Sequence, residues 1–390
     1  MTPAAAPFAA LTFVAIVTTA ASAGDWSLPE GVIRKPVAFA DIPGWMADDL
    51  TAVAAPFRAT CDAILNYGKP MPGLKTPAAL SRVCQVGTTI DWTKSEKIRE
   101  FFASEYQAVE ITPPAGKGFM TGYYEPEVAG SLGRTAEFTA PLLSRPPDLV
   151  TIERGQVPVG LPSDATAGRQ REDGTLEPFP DRAAILDGAV ADRTRPLVWL
   201  KDDVEVFLVQ VQGSTRVRLP DGSTRRFAYD GRNGLPYTSI GKKIVEEGHV
   251  PLAELNLDRL KSWLRANPVE GKRIMRLNRS YVFFRAATEL DDKSGPIGGA
   301  GVPLTPWRSI AVDQNFWPYG LPVWLDAELP LPSDGTELFQ HLTITQDTGS
   351  AIVGPARVDL YNGTGPEAGV RAGLLRHPVR FIALLPKEQP

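Results

Sequence analysis

The sequence predicts an α+β chain that is mainly β, with helices gathered near its start and a small closed barrel at its end. Three observations carry this reading. Apolar residues return at helical spacing over residues 48–67, 76–86 and 93–106, the signature of amphipathic helices. The final ninety residues instead hold five short strand-like runs, 310–313, 322–325, 342–347, 357–361 and 379–385, separated by Gly/Pro turns, a rhythm that suits a small closed barrel. The 35 glycines and 36 prolines of this 390-residue chain favour loops and β-structure over long helices. The length exceeds what one small core accounts for, so two domains, or one inserted in another, are expected.

Taken in order, residues 1–23 carry no charged side chain and run through an apolar stretch to Ala21, Ser22 and Ala23. The pattern reads as a secretory signal peptide cleaved near Ala23, and the apolar run is shorter than a spanning helix needs. Export into the periplasm is expected, with association to the outer membrane as a further option. No cysteine precedes Cys61, so no lipid anchor is evident near the cleavage point. Residues 24–120 form a helix-rich part, in which Thr93 and Glu96 are spaced as a capping box. Cys61 and Cys84 are the chain's two cysteines, and in an oxidising compartment a disulfide between them is expected.

After Pro113 and Pro114 the character turns to strands and turns. Residues 204–212 are a β-branched run read as a strand. Residues 215–219 and 224–229 read as a hairpin closed by an Asp-Gly turn. Helical spacing reappears over 240–247 and 252–266, the latter closed by Asn267 and Pro268. A flexible glycine-rich passage, 294–299, leads into the barrel strands.

The composition excludes several functions. A formal net charge of −4 and the lack of a basic stripe argue against nucleic acid. His249, His341 and His377 are scattered, so no metal site and no Ser-His-Asp triad is expected, and no cofactor motif occurs. Carboxylates remain. The segment QDTGSAIVGPARVDLYNGTG, residues 346–365, sets Asp347 and Asp359 on either side of a glycine-rich break. Period-2 alternation turns Asp347 away from Leu342 and Ile344, and Asp359 away from Val358 and Leu360. A cleft with a general acid is one reading and a solvated Asp359 paired with Arg357 is another.

Three passages together, FMTGYYEP (119–126), VQGS with YDGRNG and YTSIGK (211–214, 229–234, 237–242), and DTGSAIVG with VDLYNGTGPEAG (347–354, 358–369), resemble the membrane-bound lytic murein transglycosylase A family over residues 30–387. The last passage, with Ala311, Val312 and Asp313 upstream, is similar to that family's three-aspartate (3D) double-psi barrel module. The resemblance implies an inserted β-barrel over 121–284, a double-psi β-barrel over 285–390 and a groove between them for a peptidoglycan strand. It implies nonhydrolytic cleavage of the MurNAc–GlcNAc bond to 1,6-anhydro ends, without a cofactor and with other cell-wall enzymes as candidate partners. Asp359 matches the catalytic aspartate, acid first and base second, with Asp347 in support. Thr121, Gly122, Tyr123, Tyr124, Gln212, Gly213, Ser214 and Asp313 match substrate-binding segments. Two departures stand out: the family's lipoprotein cysteine is absent, and Asp230 occupies a place where a small residue is expected. A two-carboxylate glycoside hydrolase and a noncatalytic glycan-binding barrel are the alternatives.

Overall fold

A computed structural model of the chain describes residues 28–66, 78–152, 159–162, 165–291 and 293–387. The expected signal peptide lies outside these residues. The N-terminal part contains β1 (Ile33–Val37), α1 (Ala54–Asn66), α2 (Ala78–Gly87), α3 (Ser95–Glu105), β2 (Tyr106–Thr112) and β3 (Gly118–Glu125). The middle runs β4 (Glu127–Ser131), β5 (Ala140–Leu143), β6 (Leu149–Thr151), β7 (Ala167–Gln170), β8 (Leu176–Glu177), α4 (Arg182–Leu186), β9 (Pro196–Leu200) and α5 (Asp203–Gln212). It continues with β10 (Ser214–Arg218), β11 (Thr224–Arg232), α6 (Ile240–Glu246), α7 (Leu257–Ala266), α8 (Pro268–Leu277) and β12 (Val282–Ala286). The C-terminal part holds β13 (Ser309–Val312), β14 (Pro322–Pro330), β15 (Thr336–Asp347), β16 (Arg357–Thr364), α9 (Pro366–Leu374) and β17 (Arg376–Pro386).

Strands β17, β14, β15, β13, β16 and β3 pair in that order, and β3 pairs again with β17, which closes a six-strand barrel. Its interior is filled by Met120, Ile310, Val323, Leu325, Val358, Leu360 and Phe381. Leu342, Ile344, Ile382 and Leu384 point outward instead and are covered by Phe57, Phe101 and Phe102 of the N-terminal helices. Closure therefore buries both faces of β15. Thr343 and Thr345 turn inward, where their hydroxyls donate to Val323 O and Pro318 O, so the polar parity read from the sequence is satisfied inside the barrel. The Cys61–Cys84 bond ties α1 to α2, a clamp worth about 3 kcal/mol for a loop of this size.

Between β3 and β13 the chain builds a second sheet in the order β12-β11-β10-β4-β9-β5. A bridge between Ser144 and Phe284 joins its outer strands, around a core of Leu142, Val198, Leu200, Val217, Phe227 and Phe284. The mixed α/β architecture of a double-psi barrel with a second barrel inserted is thus the observed one. The sheets change partner at Pro126, so the boundary expected at residues 120/121 falls inside β3. There, Glu125 is fully buried and meets Arg216 (2.9 Å) and Arg226 (3.0 Å) of the inserted barrel, with Thr364 of β16 donating to it at 2.9 Å. Charge and backbone cross the junction together.

The expected hairpin forms as β10 and β11, and β11 bulges between Tyr229 and Gly231, where Asp230 O accepts from Arg145. Residues 204–212 are a helix, not a strand. Asp202 caps its start by accepting from Glu205 N at 2.8 Å, and Gly213 ends it in a left-handed conformation, φ +84°. The strand preference of four valines gives way because one face packs on the inserted barrel (Val206, Val209) and the other on a helical layer (Val204, Phe207, Leu208). The capping box does not form either: Thr93 is held by Asp91, and Ser95 accepts from Leu50 N.

Candidate active site

The two aspartates become neighbours through the strand register. In β13, Ala311 is opposite Asp347 of β15 on one side and Asp359 of β16 on the other. Two interstrand spacings thus separate the aspartates, roughly 10 Å between backbones, and the intervening side chain is a methyl group. The space so left is a cavity of about 190 Å³ lined by Ala311, Asp347, Asp359, Gly122, Tyr123 and Gln212 together with the inserted domain's Arg182 and Tyr237. A second cavity of about 210 Å³ shares Gly122, Gln212 and Tyr237 and extends along Tyr124, Leu257 and Leu375. Together they form a groove between the barrels.

Glycine makes the groove wall possible. A Cβ on Gly122 would lie 2.6 Å from Asn362 Nδ2 and 2.9 Å from Ala372 Cα, and one on Gly369 would strike the Tyr124 ring at 2.8 Å. Without these side chains, α9 packs directly on β3.

The carboxylates differ in how they are held. Asp347 Oδ1 accepts the backbone N–H of Gly299 (2.8 Å) and Thr348 (2.9 Å), and Oδ2 accepts from Tyr123 OH at 2.9 Å. The glycine-rich passage expected to be flexible is what brings Gly299 there. Burial nevertheless raises Asp347 above its ordinary value, and the same burial beside Asp347 keeps the Tyr123 phenol protonated as a donor. Asp359 Oδ1 accepts from Thr121 OH at 2.5 Å, and that hydroxyl in turn accepts from Arg357 Nη2 at 2.7 Å. Burial pushes Asp359 up to about 6, against the opposing pull of Arg357 and Thr121 and with Asp347 adding repulsion. Arg357 therefore reaches Asp359 through a hydroxyl, and desolvation wins. Among the described residues no donor meets Asp359 Oδ2.

Of the other expected residues, Thr121, Gly122, Tyr123, Tyr124 and Gln212 line the groove, and Gln212 Oε1 accepts from Tyr124 N at 3.0 Å. Gly213, Ser214 and Asp313 do not. Gly213 caps α5, Ser214 starts β10 in register with Ala228, and Asp313 is taken up by the N–H groups of Asn315 and Gly354, both at 2.8 Å. Sequence reasoning missed Arg182, Gln210, Tyr237 and Ala311. For Ala311 the signal was present, since a small residue beside an aspartate motif leaves room; for Arg182 there was none. Glu247, His249 and Glu270 approach one another at the surface, but Arg273 ion-pairs with both glutamates.

Family models match this chain in two places, an MltA specific insert domain over residues 119–285 and a 3D domain over residues 308–385. Membrane-bound lytic murein transglycosylase A of Vibrio cholerae is 38% identical over 204 residues, 51% of this chain and 54% of that protein. The Escherichia coli K12 protein of the same name is 30% identical over 296 residues, 74% of this chain and 71% of its own length. The crystal structure of a membrane-bound lytic murein transglycosylase from Agrobacterium tumefaciens superposes with a TM-score of 0.81 at 33% identity, covering 90% of this chain and 97% of that one. With both modules matched in order and relatives spanning most of its length, this chain belongs to the membrane-bound lytic murein transglycosylase A family, whose members are enzymes acting on murein.

Proposed function

We propose that this chain cleaves the β-1,4 bond between N-acetylmuramic acid and N-acetylglucosamine in peptidoglycan without water, with Asp359 as acid and then base. The observation that carries this is the asymmetry of the two carboxylates: Asp359 is held near 6 with one oxygen unclaimed, while both oxygens of Asp347 are occupied. A carboxyl near 6 is protonated often enough to give its proton to a leaving oxygen at near-neutral pH. As carboxylate it can then take the proton from the muramoyl C6 hydroxyl, so that this oxygen closes on C1 and forms the 1,6-anhydro ring. Nothing is consumed in the cycle. Asp347, fixed by three donors, supplies negative charge across the cavity for the positive charge that develops on the sugar.

A hydrolase would need a second carboxylate free to activate water or to attack C1, and the three donors on Asp347 disfavour that role. An E. coli MltA, of the same fold at 24% identity, was solved with chitohexaose bound. We further propose export to the periplasm with association to the outer membrane; no helix among the described residues is long and apolar enough to cross a membrane.

Mass spectrometry of a murein digest tests the reaction. Anhydromuramoyl ends are expected, and reducing ends would replace this reading with the hydrolase. Asp359→Asn is expected to bind glycan and lose activity by about 10²–10⁴; turnover near wild type would reject the single-acid assignment.

A further inference from the structure

Arg308 and Arg182 are both more than nine-tenths buried. Arg308 has a counter-ion: both its terminal nitrogens meet Asp48 at 2.7 Å. Arg182, 3% exposed, has none among the described residues. Its Nε donates to Asn278 O (2.9 Å), Nη1 to Gln210 Oε1 (2.6 Å) and Nη2 to Ser280 O (2.6 Å). The guanidinium also lies over the rings of Phe207 (4.6 Å) and Tyr281 (5.1 Å). Each of these partners is neutral. A guanidinium has five N–H groups, so one on each terminal nitrogen remains for another acceptor.

A cation buried without a partner charge is costly to keep, and burial pulls Arg182 down to about 10. Yet this residue is not sealed in a core: it lines the same cavity as Asp359. The hydroxyl of Tyr237, which lines that cavity too, feels the charges of both Arg182 and Asp359. Arg182, Asp359 and Tyr237 thus line one cavity.

We propose that Arg182 is a carboxylate-recognition residue of the groove, so that the enzyme distinguishes acidic glycan strands from neutral ones. This rests on the peptidoglycan reading and deepens it. A planar fork with two free N–H groups suits a carboxylate held bidentately, and a carboxylate there supplies the countercharge that the fold omits. Two parts of a murein strand carry that chemistry, the lactyl ether carboxylate of muramic acid and the free carboxylates of a stem peptide.

The test uses the full chain carrying Asp359→Asn, so that ligands persist, and compares by calorimetry chitohexaose, a peptide-free muramyl oligosaccharide, its neutral lactyl methylamide and a peptide-substituted strand. The acidic strands are expected to bind tenfold or more tighter than the neutral ones, the range of a charge-assisted hydrogen-bond pair. Adding Arg182→Gln is expected to remove that ratio. Preference for the peptide-free acid assigns the lactyl group, and preference for the substituted strand assigns the stem peptide. Equal affinity of the peptide-free acid, its methylamide and the peptide-substituted strand in the intact groove overturns the proposal even if Arg182→Gln fails to fold, as does a ratio unchanged by Arg182→Gln. Failure to bind any of the four glycans would instead sink the peptidoglycan reading itself.

Discussion

Two aspartates desolvated against the same barrel have opposite electrostatics. Asp48 sits where the N-terminal segment meets β15, fully buried, and receives Arg308 through both terminal nitrogens, His341 Nδ1 at 2.7 Å and Leu342 N at 3.0 Å. Burial alone would push it up, but these donors bring it down to about 2. Asp359 is desolvated as well, yet its nearest cation stops at Thr121, and it ends at about 6. Burial alone does not decide whether a carboxylate is a structural ion or an acid; direct contact with a cation does, since Asp347 has three neutral donors and is still raised. The joint at Asp48 holds two parts of the chain together, and the groove at Asp359 leaves charge unsatisfied where a substrate can use it.

Removing the carboxylates separates the two regions most strongly. Asp48→Ala leaves Arg308 buried without its partner, and a loss of about 3–5 kcal/mol in urea unfolding is expected, with activity per folded molecule unchanged. Asp359→Asn is expected to act in the opposite sense. Folding raises this carboxyl from its ordinary value to about 6, so at pH 8 the ionised group opposes the fold by about 3 kcal/mol, which the amide relieves. A destabilised Asp359→Asn would erase the distinction.

Much of this contrast lies beyond the reach of the sequence. The strand pattern around residues 357–361 put Asp359 on the correct side of Val358 and Leu360, but the pattern around 342–347 failed for Asp347. A register shift after Ile310 brings Asp347 rather than Gln346 opposite Ala311, so it faces the groove while Thr343 and Thr345 turn into the barrel. The helix over 203–212 escaped it, since caps at Asp202 and Gly213 and burial on two faces overrode the β-branched composition. Asp48 finds its partners 260 and 293 residues away, and Arg182 finds its own up to 98 residues away. No local period encodes such pairings. The motifs did mark β3, β16 and Gln212 as groove elements, but Ser214 and Asp313, in the same motifs, serve the scaffold.

An intermediate effect appears when pH is varied on the unmodified protein. Asp48 is depressed on folding, so its contribution is present above pH 4 and is lost as pH falls toward 2, about 2.5 kcal/mol in all. Asp359 is raised, so protonation favours the fold: its contribution is complete below pH 4 and is lost as pH rises through about 6. Stability measured from pH 8 downward should therefore first rise and then fall. Initial rates with murein should decline above pH 6, where the acid is ionised; a rate that stays level to pH 8 would mean that a group other than Asp359 gives the proton.

The smallest effect falls on the hydroxyl that keeps Arg357 at one remove. Thr121 spends its proton on Asp359 Oδ1 and accepts from Arg357, so Thr121→Val removes a hydrogen bond that favours the carboxylate. The descending limb of the pH–rate profile should move upward by less than about one unit, the equivalent of a single hydrogen bond, and Thr121→Ser should restore it. Thr121→Val also frees Arg357, whose pull on Asp359 has the opposite sign. A limb that moves down instead would show that the guanidinium swings onto Asp359 once the hydroxyl is gone. The groove would then have been turned toward the Asp48 kind of site by one side chain, with Thr121 as the spacer that prevents it.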